Sequence, residues 1–168
     1  MKKNNFLGFT LVEIIITVAI LLVLTGIGAM TISQFNSGQK TEAVRNELSA
    51  QLKLARNMAV TNQLPSGVSG SLGFVRTSVS SDLTVSTVAF RKNANGTITE
   101  LGSYPIRKID GSNAVKVTVS SGFGFLVGDG RLTDANGAIS GTSVNIGVSG
   151  VDDIKTIIIN ASGLINEQ

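Results

Sequence analysis

The sequence predicts an α+β chain in which one long N-terminal helix, hydrophobic in its first half and amphipathic in its second, packs on an antiparallel β-sheet domain. Three observations predict it. The 17 residues from Ile14 to Met30 are uncharged and nearly all aliphatic. Val44, Leu48, Leu52, Ala55 and Ala59 then recur at helical spacing among charged side chains. Beyond Gly67, short alternating segments rich in Val, Thr, Ser and Gly are separated by reverse-turn dipeptides.

The charge-free stretch extends to Gln39. Crossing the roughly 30 Å apolar core of a bilayer takes about 20 helical residues, so residues 9–36 are expected to form a membrane helix. Lys40, Glu42, Arg45, Glu47, Lys53 and Arg56 surround the apolar stripe that follows, which makes residues 37–64 an amphipathic continuation. A helix running from Phe9 to about Asn62 would be a rod of about 80 Å at 1.5 Å per residue, one half in lipid and the other on a domain. Leu64-Pro65-Ser66-Gly67 is the expected stop.

Residues 65–168 read as the globular β-domain, with strands expected over 72–79, 83–91, 97–101, 114–119, 123–127, 143–148 and 154–160. Asn95-Gly96, Asp110-Gly111 and Asn136-Gly137 are strong turn dipeptides, so neighbouring strands should pair as antiparallel hairpins. With 168 residues there is room for one such domain and one long accessory element.

Composition excludes much chemistry. Cysteine and histidine are absent, which removes disulfides, thiolate nucleophiles, and the zinc sites and triads built on either residue. The 14 basic and 11 acidic residues give +3, but Lys2 and Lys3 lie in a segment read below as a removable leader. Net charge alone therefore gives no case for a nucleic-acid partner.

The informative stretch is Gly8-Phe9-Thr10-Leu11-Val12-Glu13, placed between the two lysines and the aliphatic run. The lysines hold the start of the chain on the cytoplasmic face, which puts the β-domain outside. Gly8 offers a peptidase a site without a side chain. Glu13 is the anomaly, because a carboxylate in a membrane segment costs on the order of 2.5 to 3.5 kcal/mol at mid-helix and less near an end. Cleavage after Gly8 would create an amine at Phe9, one turn from Glu13, and in a filament the carboxylate could pair with the amine of a neighbouring subunit. Close packing of Ile14, Ile15, Val18, Ile20, Leu21, Leu22 and Leu24 against neighbouring helices would supply the remaining attraction.

This hexad, followed by an aliphatic helix, resembles the signal of type IV pilins and pseudopilins. The resemblance implies the pilin fold, cleavage after Gly8 by a prepilin peptidase (residues 1–8 being the leader), N-methylation of Phe9, and a need for Glu13 in assembly. The implied partners are that peptidase, other pilin or pseudopilin subunits, an inner-membrane assembly platform, and membrane lipid before assembly; no cofactor or metal is implied. The stretch from Leu48 to Val60, with the late segment Ile157 to Ile165, is also similar to the H-type minor pseudopilins (the GspH/FimT group). Two features depart from many major pilins: no proline precedes Pro65, where Gly26 and Gly28 stand in the apolar run instead, and there is no cysteine pair.

Plainer readings compete. Ile27-Gly28-Ala29 would pass as a signal-peptidase site, although Glu13 has no purpose in a signal-peptide core; a simple anchor would let Glu13 snorkel to the interface. Asp129, Asp134, Asp152 and Asp153 lack EF-hand spacing and read as turn residues. Gly122-Phe123-Gly124-Phe125 and Gly128-Asp129-Gly130 lack the phosphate-loop spacing. Arg91-Lys92 and Arg107-Lys108 read as solvated surface, so nucleic acid is possible but not indicated. No catalytic set is present, and the expected function is a structural one: a subunit of a type IV pilus or secretion pseudopilus, of the minor kind, held in the cytoplasmic membrane and then built into a filament. The alternative is a binding module for DNA or a secreted protein displayed on the fibre.

Overall fold

A computed structural model describes residues 9–110, 115–119, 122–150 and 153–168, with the side chains of 27–34 and 37 outside the description. The chain divides into two compact units, Met1–Asn36 and Ser37–Gln168. One helix, α1 (Leu11–Val60), and ten strands make up the regular structure of the described residues, an α+β architecture. The helix continues through Gly26 and Gly28 without interruption.

Helix α1 ends four residues before the expected Leu64-Pro65-Ser66-Gly67 signal. Asn62 adopts a left-handed conformation (φ 52°), its N–H reaches the Ala59 carbonyl at 3.2 Å, and the Gln63 N–H reaches the Met58 carbonyl at 2.9 Å. These two bonds form the C-terminal motif that satisfies the last free carbonyls, with Asn in the position where Gly is commonest. The segment that follows is tied down by the buried Tyr104, whose hydroxyl donates to the Gln63 carbonyl.

In the second unit, the stripe of Val44, Leu48, Leu52, Ala55 and Ala59 is almost completely buried and belongs to a single core with both sheets. The expected antiparallel β-domain is built from two sheets, an arrangement the sequence left open. The first joins β1 (Phe74–Val79), β2 (Thr84–Lys92), β3 (Ile98–Ser103), β4 (Arg107–Lys108), β6 (Phe123–Leu126) and β7 (Leu132–Asp134) in the order β3-β2-β1-β6-β7, with β4 also on β2. The second joins β5 (Lys116–Val119), β8 (Val144–Ser149), β9 (Ile154–Ile159) and β10 (Ile165–Glu167) in the order β10-β9-β8-β5. All the pairings are antiparallel. An N–H from Leu132 to the Ala161 carbonyl, 3.1 Å, links β7 of the first sheet to the turn after β9 of the second.

Register explains the burial. Val75 sits opposite Ala89 and Phe125, and Thr77 opposite Thr87 and Phe123, so these residues share the face turned to the core. Phe74 pairs with Phe90 on the opposite face, yet both are buried. Their rings stack at 5.1 Å, and the Arg76 guanidinium lies 4.3 Å from the Phe90 ring centre. The turn at Asn136-Gly137 covers this second cluster so closely that a β-carbon on Gly137 would come within 2.5 Å of the Phe74 ring.

Asn95-Gly96 turns β2 into β3, with Gly96 at φ +83°, as its sequence predicts. Asn136-Gly137 reverses the chain after β7, where the Asp134 carboxylate accepts the N–H groups of Asn136 and Ala138 at 2.8 and 2.9 Å. Gly111 and Ala114, from the third turn dipeptide and an expected strand start, lie outside the described residues. The last strand is clasped to the helix: the Lys53 Nζ lies 2.7 Å from Glu167, the Ser49 hydroxyl donates to the same carboxylate, and Arg45 stands at 3.8 Å. The Lys53 hydrogen bond, followed by the Ser49 one, holds the Glu167 carboxyl below its ordinary value.

Two predictions follow from this packing. A depressed carboxyl contributes stability above its unfolded pKa, about 4.3, and loses it as the pH falls through the folded value. Glu167→Gln should therefore lower stability by about 0.5 to 1 kcal/mol at neutral pH, allowing for partial solvent exposure. Chemical denaturation across a pH series should show that difference vanish in acid. Gly96 and Gly137 both have positive φ, but nothing lies within 4 Å of a β-carbon added at Gly96. Gly96→Ala should cost about 1 to 2 kcal/mol, and Gly137→Ala about 1 to 3 kcal/mol more from overpacking against Phe74; equal losses in thermal melts would contradict the covered-face geometry.

Candidate N-terminal assembly site

The site is the start of α1. Thr10 is the N-cap: its carbonyl accepts the Ile14 N–H at 3.3 Å, and its hydroxyl oxygen accepts the Glu13 N–H at 3.3 Å. The Glu13 carboxylate folds back, with Oε2 taking the Thr10 N–H at 3.1 Å and the Thr10 hydroxyl at 3.0 Å. This reciprocal arrangement is a capping box, which gives partners to donors that the first turn of a helix otherwise leaves open. A carboxylate there also meets the positive end of the helix dipole. Our sequence reading treated Glu13 as an intruder in an apolar segment and missed the local signal, a Thr three residues before a Glu at the head of an apolar run.

The helix then exposes its aliphatic side chains. Phe9 is 84% exposed, and Ile14, Ile15, Val18, Leu21 and Leu22 are all exposed. The hydroxyl groups in this run are satisfied within the helix: Thr17 donates to the Glu13 and Ile14 carbonyls, both at 2.9 Å, and Thr25 to Leu21 and Leu22 at 2.7 and 3.2 Å. Among the described residues no helix is long and apolar enough to cross a membrane. The side chains described in the apolar run cover residues 11–26, about 24 Å of helix against a bilayer core of roughly 30 Å. Gly8 and the rest of residues 1–8 lie outside the described residues.

The other candidate residues take structural places. Asp129 bonds the Arg131 N–H at 3.0 Å and its Nε at 2.5 Å, and the Arg131 N–H is the first cause holding its carboxyl below the ordinary value. Asp134 serves the turn described above, Asp153 faces Lys155 at 3.2 Å, and Asp152 lies outside the described residues. The described residues contain no cluster of acids suited to a metal ion. Gly124 lies in β6, while Gly128 and Gly130 lie at positive φ in the link to β7, so none opens a helix for a phosphate. Arg91 donates to the Ser71 carbonyl at 3.3 Å, and Arg107 and Lys108 form the exposed β4.

Comparison with known proteins adds to this geometry. Residues 3–29, which span the capping box and the exposed aliphatic run, match the prokaryotic N-terminal methylation motif. The chain carries a type IV pilin-like N-terminus. No curated protein and no solved structure is significantly similar to the chain. The motif implies processing by a prepilin peptidase and assembly with other pilin subunits.

Proposed function

We propose that this chain is a minor structural subunit of a type IV pilus or of a secretion pseudopilus. It is held in the cytoplasmic membrane by residues 9–36, cut between Gly8 and Phe9, methylated at the Phe9 amine, and drawn into a filament through Glu13. The observation that carries this reading is the exposed aliphatic surface of α1 within a matched methylation motif. An apolar surface of this extent needs a second environment, which lipid supplies before assembly and neighbouring helices supply after it. Insertion of residues 9–36 is supported by the uncharged sequence from Ile14 to Met30.

In the filament, Ile14, Ile15, Val18, Leu21 and Leu22 pack against other subunits, and head-to-tail contacts that do not close build a fibre. Glu13 meets the amine of a neighbouring Phe9, which fixes axial register. The absence of a proline before Pro65 and of cysteine favours a minor subunit or pseudopilin. A DNA-binding role for the β-domain ranks below this reading: Arg91 is engaged with Ser71 and Arg131 with Asp129, which leaves Lys92, Arg107, Lys108 and Lys116 as the other exposed cations among its described residues.

Two measurements test the proposal. Intact-mass analysis of protein from a peptidase-proficient host should show loss of residues 1–8 and gain of one methyl group, and a retained leader in mature material would refute it. Glu13→Ala should be inserted and cut normally yet be absent from sheared filaments; wild-type incorporation would remove Glu13 from its assigned role.

A further inference from the structure

In the second unit, α1 and the edge of the first sheet leave a groove between them. Gln51, Leu54 and Met58 line it from the helix, at spacings that share one helical face. Thr87 lines it from β2, and Tyr104 and Arg107 from the break between β3 and β4. Pro105, which has no N–H to give a ladder, keeps that break open. The cavity volume is about 130 Å³. Small-molecule sites run from roughly 300 Å³ upward, so this space suits a single aliphatic side chain. Its rim is apolar and unfilled: Leu54 is exposed, as is Ile106, which follows Pro105. Among the described residues no acid lines the groove. Arg107, and Glu47 one helical turn before Gln51, are exposed and make no described ion pair.

The same unit presents a segment with matching features. Ile154, at the start of β9, is 74% exposed, more than any other aliphatic residue described in Ser37–Gln168. It stands between Asp153 and Lys155, whose partly exposed side chains pair at 3.2 Å. An exposed ion pair contributes little, so either charge changes partners at small cost. We infer that the groove receives Ile154 from a second copy of this chain, with Asp153 of that copy meeting Arg107 and its Lys155 meeting Glu47. This contact goes beyond the subunit reading given above, since it requires neither processing nor a filament. Groove and knob belong to different sheets, so the contact is heterologous. A pair of copies joined through one such contact still offers a groove at one end and a knob at the other. A contact this small is of the transient class, and a covalent trap is the way to record it.

The chain has no cysteine, so introduced thiols are its only ones. Two differently tagged full-length copies would be co-expressed without assembly genes and treated in cells with a short, membrane-permeant bis-maleimide. One copy carries Ser103→Cys, at an exposed position beside Tyr104. The other carries Thr156→Cys, two places from Ile154 and on the same strand face. As a control, Ser143→Cys replaces Thr156→Cys, because it lies just before β8 at the far end of its ladder from Ile154. The S103C–T156C link should exceed the S103C–S143C link. Adding I154S to the T156C copy should cut it about tenfold, the lower end of what burial of one aliphatic side chain provides. R107D in the groove copy or D153K in the knob copy should each lower it about threefold, and the two together should restore it. A copy with both S103C and I154S should still link through its own groove to a T156C copy, which shows that I154S leaves the fold intact. A yield equal to the control, no response to I154S, or failure of the paired charge swap to restore the link would each overturn the inference. With assembly genes present, persistence of the copy-to-copy link supports it, and transfer of the S103C link to a different pilin subunit overturns it.

Discussion

Among the described residues, the aliphatic side chains at the start of α1 stand exposed along the helix. Burying one Leu or Ile contributes about 1.5 to 3 kcal/mol, so the exposed run from Leu11 to Leu24 represents a large unrealised gain. That gain is a constraint on everything around it. Thr17 and Thr25 turn their hydroxyls back to helix carbonyls, and the single acid is folded onto Thr10, so polar groups in this stretch are satisfied locally. The surface that remains is apolar and ready for lipid or for other helices.

The second unit solves a different problem with the same helix. Between Thr41 and Ala59, α1 turns one stripe into the core, and two sheets share it. The first sheet is covered on both faces, with the Phe74 and Phe90 pair and its Arg76 partner forming a smaller cluster behind the main core. This accounts for the closeness of the Gly137 turn.

The helical stripe was fully legible, because Val44, Leu48, Leu52, Ala55 and Ala59 keep strict spacing and every one is buried. The longer strands were legible for the same reason at period two, as in β8, where Val144, Ile146 and Val148 alternate with more exposed neighbours. Strands β4, β7 and β10 have only two or three residues each, too few to show a period. The two-sheet arrangement depends on long-range pairing that no local pattern encodes. The turn from β1 to β2 places Leu83 at φ 65° with its side chain buried, so burial overrode the preference for glycine and erased the usual signal. At the N-terminus, Gly8, Phe9 and Glu13 stood out in the sequence, but the part played by Thr10 did not, since reading the acid as a cost obscured the cap it completes.

The clasp on Glu167 also bears on how the chain is made. Ser49 and Lys53 meet it across 118 and 114 residues of sequence, so the helix leaves the ribosome long before the strand that secures it. Contacts of such separation form late and slowly, and until then the stripe from Val44 to Ala59 is a sticky surface on a nascent chain. Fast docking of the apolar helix elsewhere would keep unfinished copies apart during that interval and limit their aggregation.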